Sequence, residues 1–401
     1  MRKVSIFTIA IMLFGLSAKL LAAEDAKKET TTSAKKEIQD LKATAQKPKV
    51  EVVFVLDTTG SMSGLINAAK EKIWSIANTL ATSKPAPDIR MGLIGYRDRG
   101  DEYVAKVENL TDDLDLIYSR LLDFKADGGG DTPESVNQAL NEAVTKINWG
   151  KDKDIFKVIY LVGDCPPHMD YKDDVKYPET CKKAAEQGIF INTIQCGNQT
   201  ETVPIWKDIA LKAEGMYFRV EQSGSAILAS TPYDEELAKF SKELDNTRIF
   251  YGSAAELKEQ ENRITNSEKI YKDASISAQA ARVAFNAGRG GKGNFIGKKE
   301  LVDDIENGRV KLPEIKTDEM NEQLKDMTTE QQKAYIEKMS AKRKEIQKQV
   351  QELSEKRQTY IKEQVNKNQL DKKQTLDSAL FDSIQQQAAK RNISYRDGPL
   401  Y

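Results

Sequence analysis

The apolar positions along this 401-residue chain fall into two textures that meet near Gln222. Upstream, short apolar runs alternate with amphipathic stripes. Val50 to Leu56 is rich in β-branched residues and ends at Asp57, and a Gly-containing turn leads into a stripe of Ile66, Ala69, Ile73, Ile76 and Leu80 at helical spacing. Arg90 to Tyr96 and Tyr103 to Leu110 read as strands around a charged turn. Leu114, Ile117, Leu121 and Phe124 mark one helix, and Val136, Leu140, Val144 and Ile147 mark the next, with Pro133 expected at its first position. Ile155 to Val162 is the most apolar strand. A helix over Tyr177 to Gln187 stops at Gly188, strand Ile189 to Cys196 follows, and helix Val203 to Glu214 stops at Gly215 before strand Met216 to Val220. Strands alternating with amphipathic helices predict an α/β fold: a doubly wound, mostly parallel, six-stranded Rossmann-like sheet covered on both faces, with one antiparallel edge strand.

Downstream the composition turns Lys/Glu/Gln-rich, and helices are expected near Asp234 to Asp245, Ala254 to Ala287 and Thr328 to Val365. In the last, Met339, Ile346, Leu353 and Tyr360 recur every seven residues. Arg343 and Arg357 occupy the alternate seam positions, which argues against a long coiled coil and for an antiparallel helical hairpin or a helix packed on the first domain. Gly288 to Gly293 reads as a loop; with no preceding strand and no Gly-Lys-Ser/Thr ending, it is not a phosphate loop.

Composition sharpens this division. Hydrophobic residues are 39% and charged residues 31%, so a core requires the apolar residues to be concentrated, as they are between 50 and 222. Lys+Arg 61 against Asp+Glu 62, without a long basic block, lacks the footprint of a nucleic-acid binder. Arg2 and Lys3, the apolar run from Val4 to Ala18 and the exit at Leu21-Ala22-Ala23 have the form of a secretory signal peptide. The expected organisation is a signal peptide over 1–23, a polar linker over 24–47, an α/β domain over 48–228 and a charged helical region over 229–401. Loss of the peptide would leave a formal charge of about −4 and a protein destined for the periplasm or the exterior. Of the three cysteines, Cys165, Cys181 and Cys196, the last two are the candidate disulfide, being expected near one sheet edge.

Candidate chemistry gathers where the apolar strands end. Asp57-Thr58-Thr59-Gly60-Ser61 stands at the carboxyl end of the first strand, and the alternate spacing of Asp57, Thr59 and Ser61 lets three side-chain oxygens face one cup. Thr132, in the loop GGGDTPES, and Asp164, closing the strand IYLVGD, reach the same edge if the strand order is 3-2-1-4-5-6. Taken singly, these residues read as helix caps or turn residues. Together they form an all-oxygen set suited to a hard divalent cation, Mg2+ first, with Mn2+ or Ca2+ as alternatives. His168, the only histidine, is expected in an exposed loop. Arg97, Asp98, Arg99, Asp101, Asp131 and His168 are candidates for the rim of the metal face, and Arg99-Gly100-Asp101 reads as a chance tripeptide at a turn.

DTTGS, the GGGDTPE loop and LVGD, in this order on these elements, resemble the metal-ion-dependent adhesion site of von Willebrand factor type A domains, over about residues 50 to 222. The segments YRDRGDEYV and DTPESVNQAL are most similar to bacterial exported and hemicentin-like members. The resemblance implies that Thr59, Ser61 and Thr132 bind the ion directly, that Asp57 and Asp164 act largely through water, and that an open position takes a carboxylate from a protein or peptide partner. Thr59 stands where Ser is commoner. With one histidine and no activated nucleophile nearby, no hydrolytic triad is legible, so the expectation is a non-enzymatic binding protein. Two alternatives stand beside it: chemistry housed in the helical half, and a structural envelope protein.

Overall fold

The apolar runs become six strands of one sheet in the computed structural model, which describes residues 47–130, 132–224, 230–367 and 375–395 together with Gly398 and Leu400. The strands are β1 (Lys49–Asp57), β2 (Asp88–Tyr96), β3 (Ala105–Thr111), β4 (Phe156–Gly163), β5 (Ile189–Cys196) and β6 (Tyr217–Val220). Their order is β3-β2-β1-β4-β5-β6. All neighbours are parallel except β3, which runs antiparallel to β2 at one edge, with a register shift between Met91 and Leu93. The expected signal peptide (1–23), all of the expected linker except Lys47, and Asp131 lie outside the described residues.

Strand alternation divides the core into two layers. Val50, Val52, Phe54 and Leu56 of β1 join one cluster, whereas Val53 and Val55 join the other. The second face is covered by α3 (Val136–Thr145), α4 (Tyr177–Glu186) and α5 (Thr202–Lys212). The first is covered by α1 (Ser63–Ala81) and α2 (Leu114–Asp123), and then by a helix from the far end of the chain, α13 (Leu376–Ala388). Between β6 and α13 lie α6 (Asp234–Asp245), α7 (Ala254–Asp273), α8 (Ile276–Ala287), α9 (Lys292–Ile296), α10 (Leu301–Glu306), α11 (Glu322–Lys325) and the 39-residue α12 (Thr329–Lys367). Residues 48 to 401 cluster as one compact unit.

Four local expectations are corrected. The helix after the triple glycine begins at Val136, because Glu134 is drawn into a parallel bridge with Pro167 instead of entering the helix behind Pro133. The stretch 254–287 is two helices: Ser275 adopts an extended N-cap conformation and accepts a hydrogen bond from the Ala278 amide, restarting the helix. The Gly288–Gly293 segment is not wholly loop, since Lys292 opens α9. Cys181 and Cys196 are free thiols in opposite layers of the core, Cys181 on the α3–α5 side and Cys196 on the α1 side, so the sheet stands between the candidate disulfide partners.

Candidate functional site

The register aligns Asp57 with Tyr96 and Leu56 with Val162, so β1, β2 and β4 end together and the loops after them meet at one edge. Beyond β1 the chain turns through a short 3-10 segment, Gly60–Met62, before α1 begins. That turn folds Thr59 back on Asp57. Asp57 Oδ1 accepts hydrogen bonds from the Thr59 amide at 2.9 Å and the Thr59 hydroxyl at 2.6 Å, and Ser61 Oγ lies 3.4 Å from Thr59 Oγ1. The other oxygen, Asp57 Oδ2, is buried with the buried Tyr96 hydroxyl near it, and neither atom makes a well-formed hydrogen bond. Burial raises the Asp57 carboxyl to about 7, with the help of the Asp164 charge and against the opposing hydrogen bonding of Thr59 and Tyr96.

Asp164 presents the same asymmetry. Its Oδ2 accepts from Gln222 Nε2 at 2.8 Å, while its Oδ1 is buried and unpartnered. The stretch after it is pinned by Thr202 Oγ1 to the Asp164 carbonyl at 2.8 Å and Trp206 Nε1 to the Cys165 carbonyl at 3.1 Å. Thr132 reaches this edge on the opposite loop, but its exposed hydroxyl faces Cys165 Sγ at 3.9 Å, not the Asp57–Thr59–Ser61 trio.

Two contributors were not legible as such. Glu134 is 2% exposed and leaves Oε2 without a partner. Burial, then the charges of Asp57, Asp98, Asp101 and Asp164, raise its carboxyl to about 9. Alternation along an extended segment would have placed it on the side of Thr132, two residues earlier. Gln222, in the polar loop after β6, carried no sequence signal at all.

The triple-glycine loop closes over this cluster. Gly128 and Gly129 have φ of +73° and +72°; a Cβ on Gly128 would lie 2.3 Å from Asp101 Oδ1, and one on Gly129 would lie 2.9 Å from Thr59 Cβ. Asp101 holds the loop by accepting from the Gly129 amide at 3.1 Å and the Asp98 amide at 3.1 Å. Most of the expected rim is interior. Arg97 is 3% exposed and donates to the Thr58 carbonyl at 3.2 Å and the Lys125 carbonyl at 2.9 Å. Asp98 accepts from Ser135 at 2.7 Å and Tyr171 at 2.8 Å. His168 is buried, contrary to the exposed loop expected: its ring stacks on Tyr171 at 4.0 Å and sits between Asp98 and Asp170. Arg99, ion-paired to Asp173 and Asp174, is exposed, and Asp101 is half-buried.

A family model described as the von Willebrand factor A domain matches residues 51–228. That segment is a von Willebrand factor A domain. Curated relatives include von Willebrand factor A domain-containing protein 7 of Rattus norvegicus, 37% identical over 97 residues, which are 24% of this chain and 10% of that protein. An ariadne-like RING finger protein of Acanthamoeba polyphaga mimivirus is 26% identical over 119 residues, 30% of this chain and 11% of that protein. The matched segments thus span about a tenth of these relatives. Among solved structures, the SpRpn10 VWA domain matches at TM-score 0.35 and 16% identity, covering 45% of this chain and 91% of that one. A mussel byssus protein, proximal thread matrix protein 1 with a zinc occupied MIDAS motif, matches at TM-score 0.34 and 16% identity, covering 43% and 42%.

Among the described residues, no three His, Cys, Asp or Glu side chains are grouped so as to hold a metal ion. The von Willebrand factor A domain offers instead a mixed set in which hydroxyls complete the carboxylates. Two orphaned carboxylate oxygens together with the Thr59 and Ser61 hydroxyls make an all-oxygen set whose chemistry fits a divalent cation.

Proposed function

We propose that the von Willebrand factor A domain of this protein binds a divalent cation, Mg2+ in the first instance, and uses it to capture a carboxylate of a protein or peptide partner. The observation that carries this reading is the pair of buried, unpartnered oxygens, Asp57 Oδ2 and Asp164 Oδ1, beside the Thr59 and Ser61 hydroxyls. Burying carboxylate oxygens without donors is costly, and a cation removes that cost. Thr59 and Ser61 would hold the ion, joined by Thr132 once its hydroxyl turns from Cys165, and Asp57 and Asp164 would orient its water ligands; when bound, the ion supplies a positive charge able to accept one further oxygen. The residues around it serve binding: Arg97, Asp98 and His168 are engaged in the loop network and none is placed as a free base beside a nucleophile.

The reading includes an exported, non-enzymatic protein. Its support is the form of residues 1–23, which is that of a secretory signal peptide. A groove of about 530 Å3, lined in part by Tyr103, Lys106, Arg120 and Lys125, opens beside the Asp57 loop, where Tyr103 bonds Thr58 at 2.7 Å, and offers polar walls for the remainder of a ligand. Crosslinking capture from the native cell envelope in Mg2+ and in EDTA tests the proposal, using wild type and a Thr59→Ala, Asp164→Ala double variant. The expected result is prey that depends on both the metal and the two residues, with the fold of the variant retained by circular dichroism. The same prey captured in EDTA would refute it.

A further inference from the structure

We infer that Gln222 is a positioning residue of the metal site: its side-chain amide fixes the Asp164 carboxylate so that Oδ1 is the oxygen presented to the cation. The inference rests on the metal reading above. Gln222 Nε2 donates to Asp164 Oδ2 at 2.8 Å and to the Ser61 carbonyl at 3.2 Å, so both amide hydrogens are used. One donor thereby joins the loop after β1 to the end of β4. With Oδ2 held, rotation of the carboxylate is stopped and Oδ1 remains buried and unpartnered. Gly197 makes the arrangement sterically available. A Cβ at that position, where φ is +74°, would come within 2.2 Å of Gln222 Oε1.

The residue type matters as much as the place. A neutral amide supplies a hydrogen bond without adding positive charge, whereas Lys or Arg there would repel the cation that the cluster is built to hold. Supporting groups that orient a ligand in this way usually contribute about 10- to 100-fold to metal affinity.

The test is Mn2+ binding to the purified full chain, followed by electron paramagnetic resonance of the free ion, with the melting temperature of the EDTA-treated protein as a second readout. Gln222→Leu keeps the approximate length and removes the amide. It should weaken Mn2+ binding by about 10- to 100-fold while leaving the metal-free melting temperature within about 2 °C of wild type, because Gln222 is surface-exposed. Gln222→Glu adds a further carboxylate against Asp164 and should separate the two readouts: it should lower the metal-free melting temperature yet bind Mn2+ more tightly than Gln222→Leu. A residue that merely packs would move both readouts together instead of separating them. Equal Mn2+ affinity for wild type and Gln222→Leu, or a Glu variant that binds no better than the Leu variant, overturns the inference while leaving the metal site standing. A wild-type chain that binds no Mn2+ at all defeats the metal reading itself, and the inference with it.

Discussion

Within the site, single atoms decide what the cluster can do. Asp57 and Glu134 are acids held above their ordinary range, to about 7 and about 9, in each case first by burial. A carboxyl whose folded value lies above its unfolded one binds protons more tightly in the native state, so the metal-free fold is most favoured below the unfolded value and loses stability as the pH rises through the window. For Asp57 that window runs from about 4 to about 7, and for Glu134 from about 4.5 to about 9. In EDTA the melting temperature is therefore expected to fall between pH 5 and pH 9, and Mg2+ to lift it most at the alkaline end, where it replaces the missing protons. Glu134→Gln should flatten the upper part of the metal-free curve. A metal-free melting temperature that rises over this range would contradict the assignment. Gly129→Ala belongs to the same scale: with φ at +72° and Thr59 Cβ 2.9 Å from the added methyl, the loop must move away from Thr59, and cation affinity should drop in an isothermal titration with Mg2+.

At the scale of elements, the long helix α12 shows how a seam that looks defective is used. Arg343 and Arg357 interrupt its heptad stripe, yet both are buried. Arg343 reaches Glu300 at 2.9 Å and the Thr247 carbonyl at 2.8 Å, and Arg357 reaches Asp234 at 2.7 Å. The partners sit at the starts of α10 and α6, so the apolar positions Ile346 and Val350 can pack on α6, α8 and α9 while the arginines tie down helix ends. A second buried pair acts across the two halves: Arg282 of α8 holds Asp115 of α2 and Asp245 of α6. Removing a sole charged partner strands the other charge, so Glu300→Gln is expected to lower stability by about 3–5 kcal/mol in urea unfolding, and Asp115→Asn, which leaves Arg282 its Asp245 partner, by less. A loss under about 1 kcal/mol for Glu300→Gln would show that water reaches these charges.

For the whole molecule, the governing fact is that the von Willebrand factor A domain is finished by the chain's last helix. After β6 the described residues form seven α-helices, and α13 then lies on the sheet face beside α1. There Tyr160 bonds Ser383 at 2.8 Å, Asn192 and Gln387 exchange bonds at 2.9 and 2.7 Å, and Lys72 meets Asp377 at 3.3 Å. A fragment ending at residue 228 leaves Phe54, Tyr160 and Phe190 without Leu380, Phe381 and Ile384 of the same core layer. Such a fragment is expected to be aggregation-prone, with no cooperative unfolding transition, and fusion of residues 375–395 to its end should restore one. The sequence by itself determined the strands, their alternation with helices and the place of Asp57, Thr59, Ser61 and Asp164 at strand ends, because period-2 and period-3.6 burial and strand-end position are local properties of the chain, whereas the order 3-2-1-4-5-6, assumed from the doubly wound pattern, is fixed by the pairing of distant strands. Only the tertiary structure decided that His168, Arg97 and Asp98 are interior, that Glu134 and Gln222 join the site, that Cys181 and Cys196 face different layers, and that α13 closes the domain. Each of these depends on contacts between segments tens to hundreds of residues apart, whose partners leave no periodic mark in either segment.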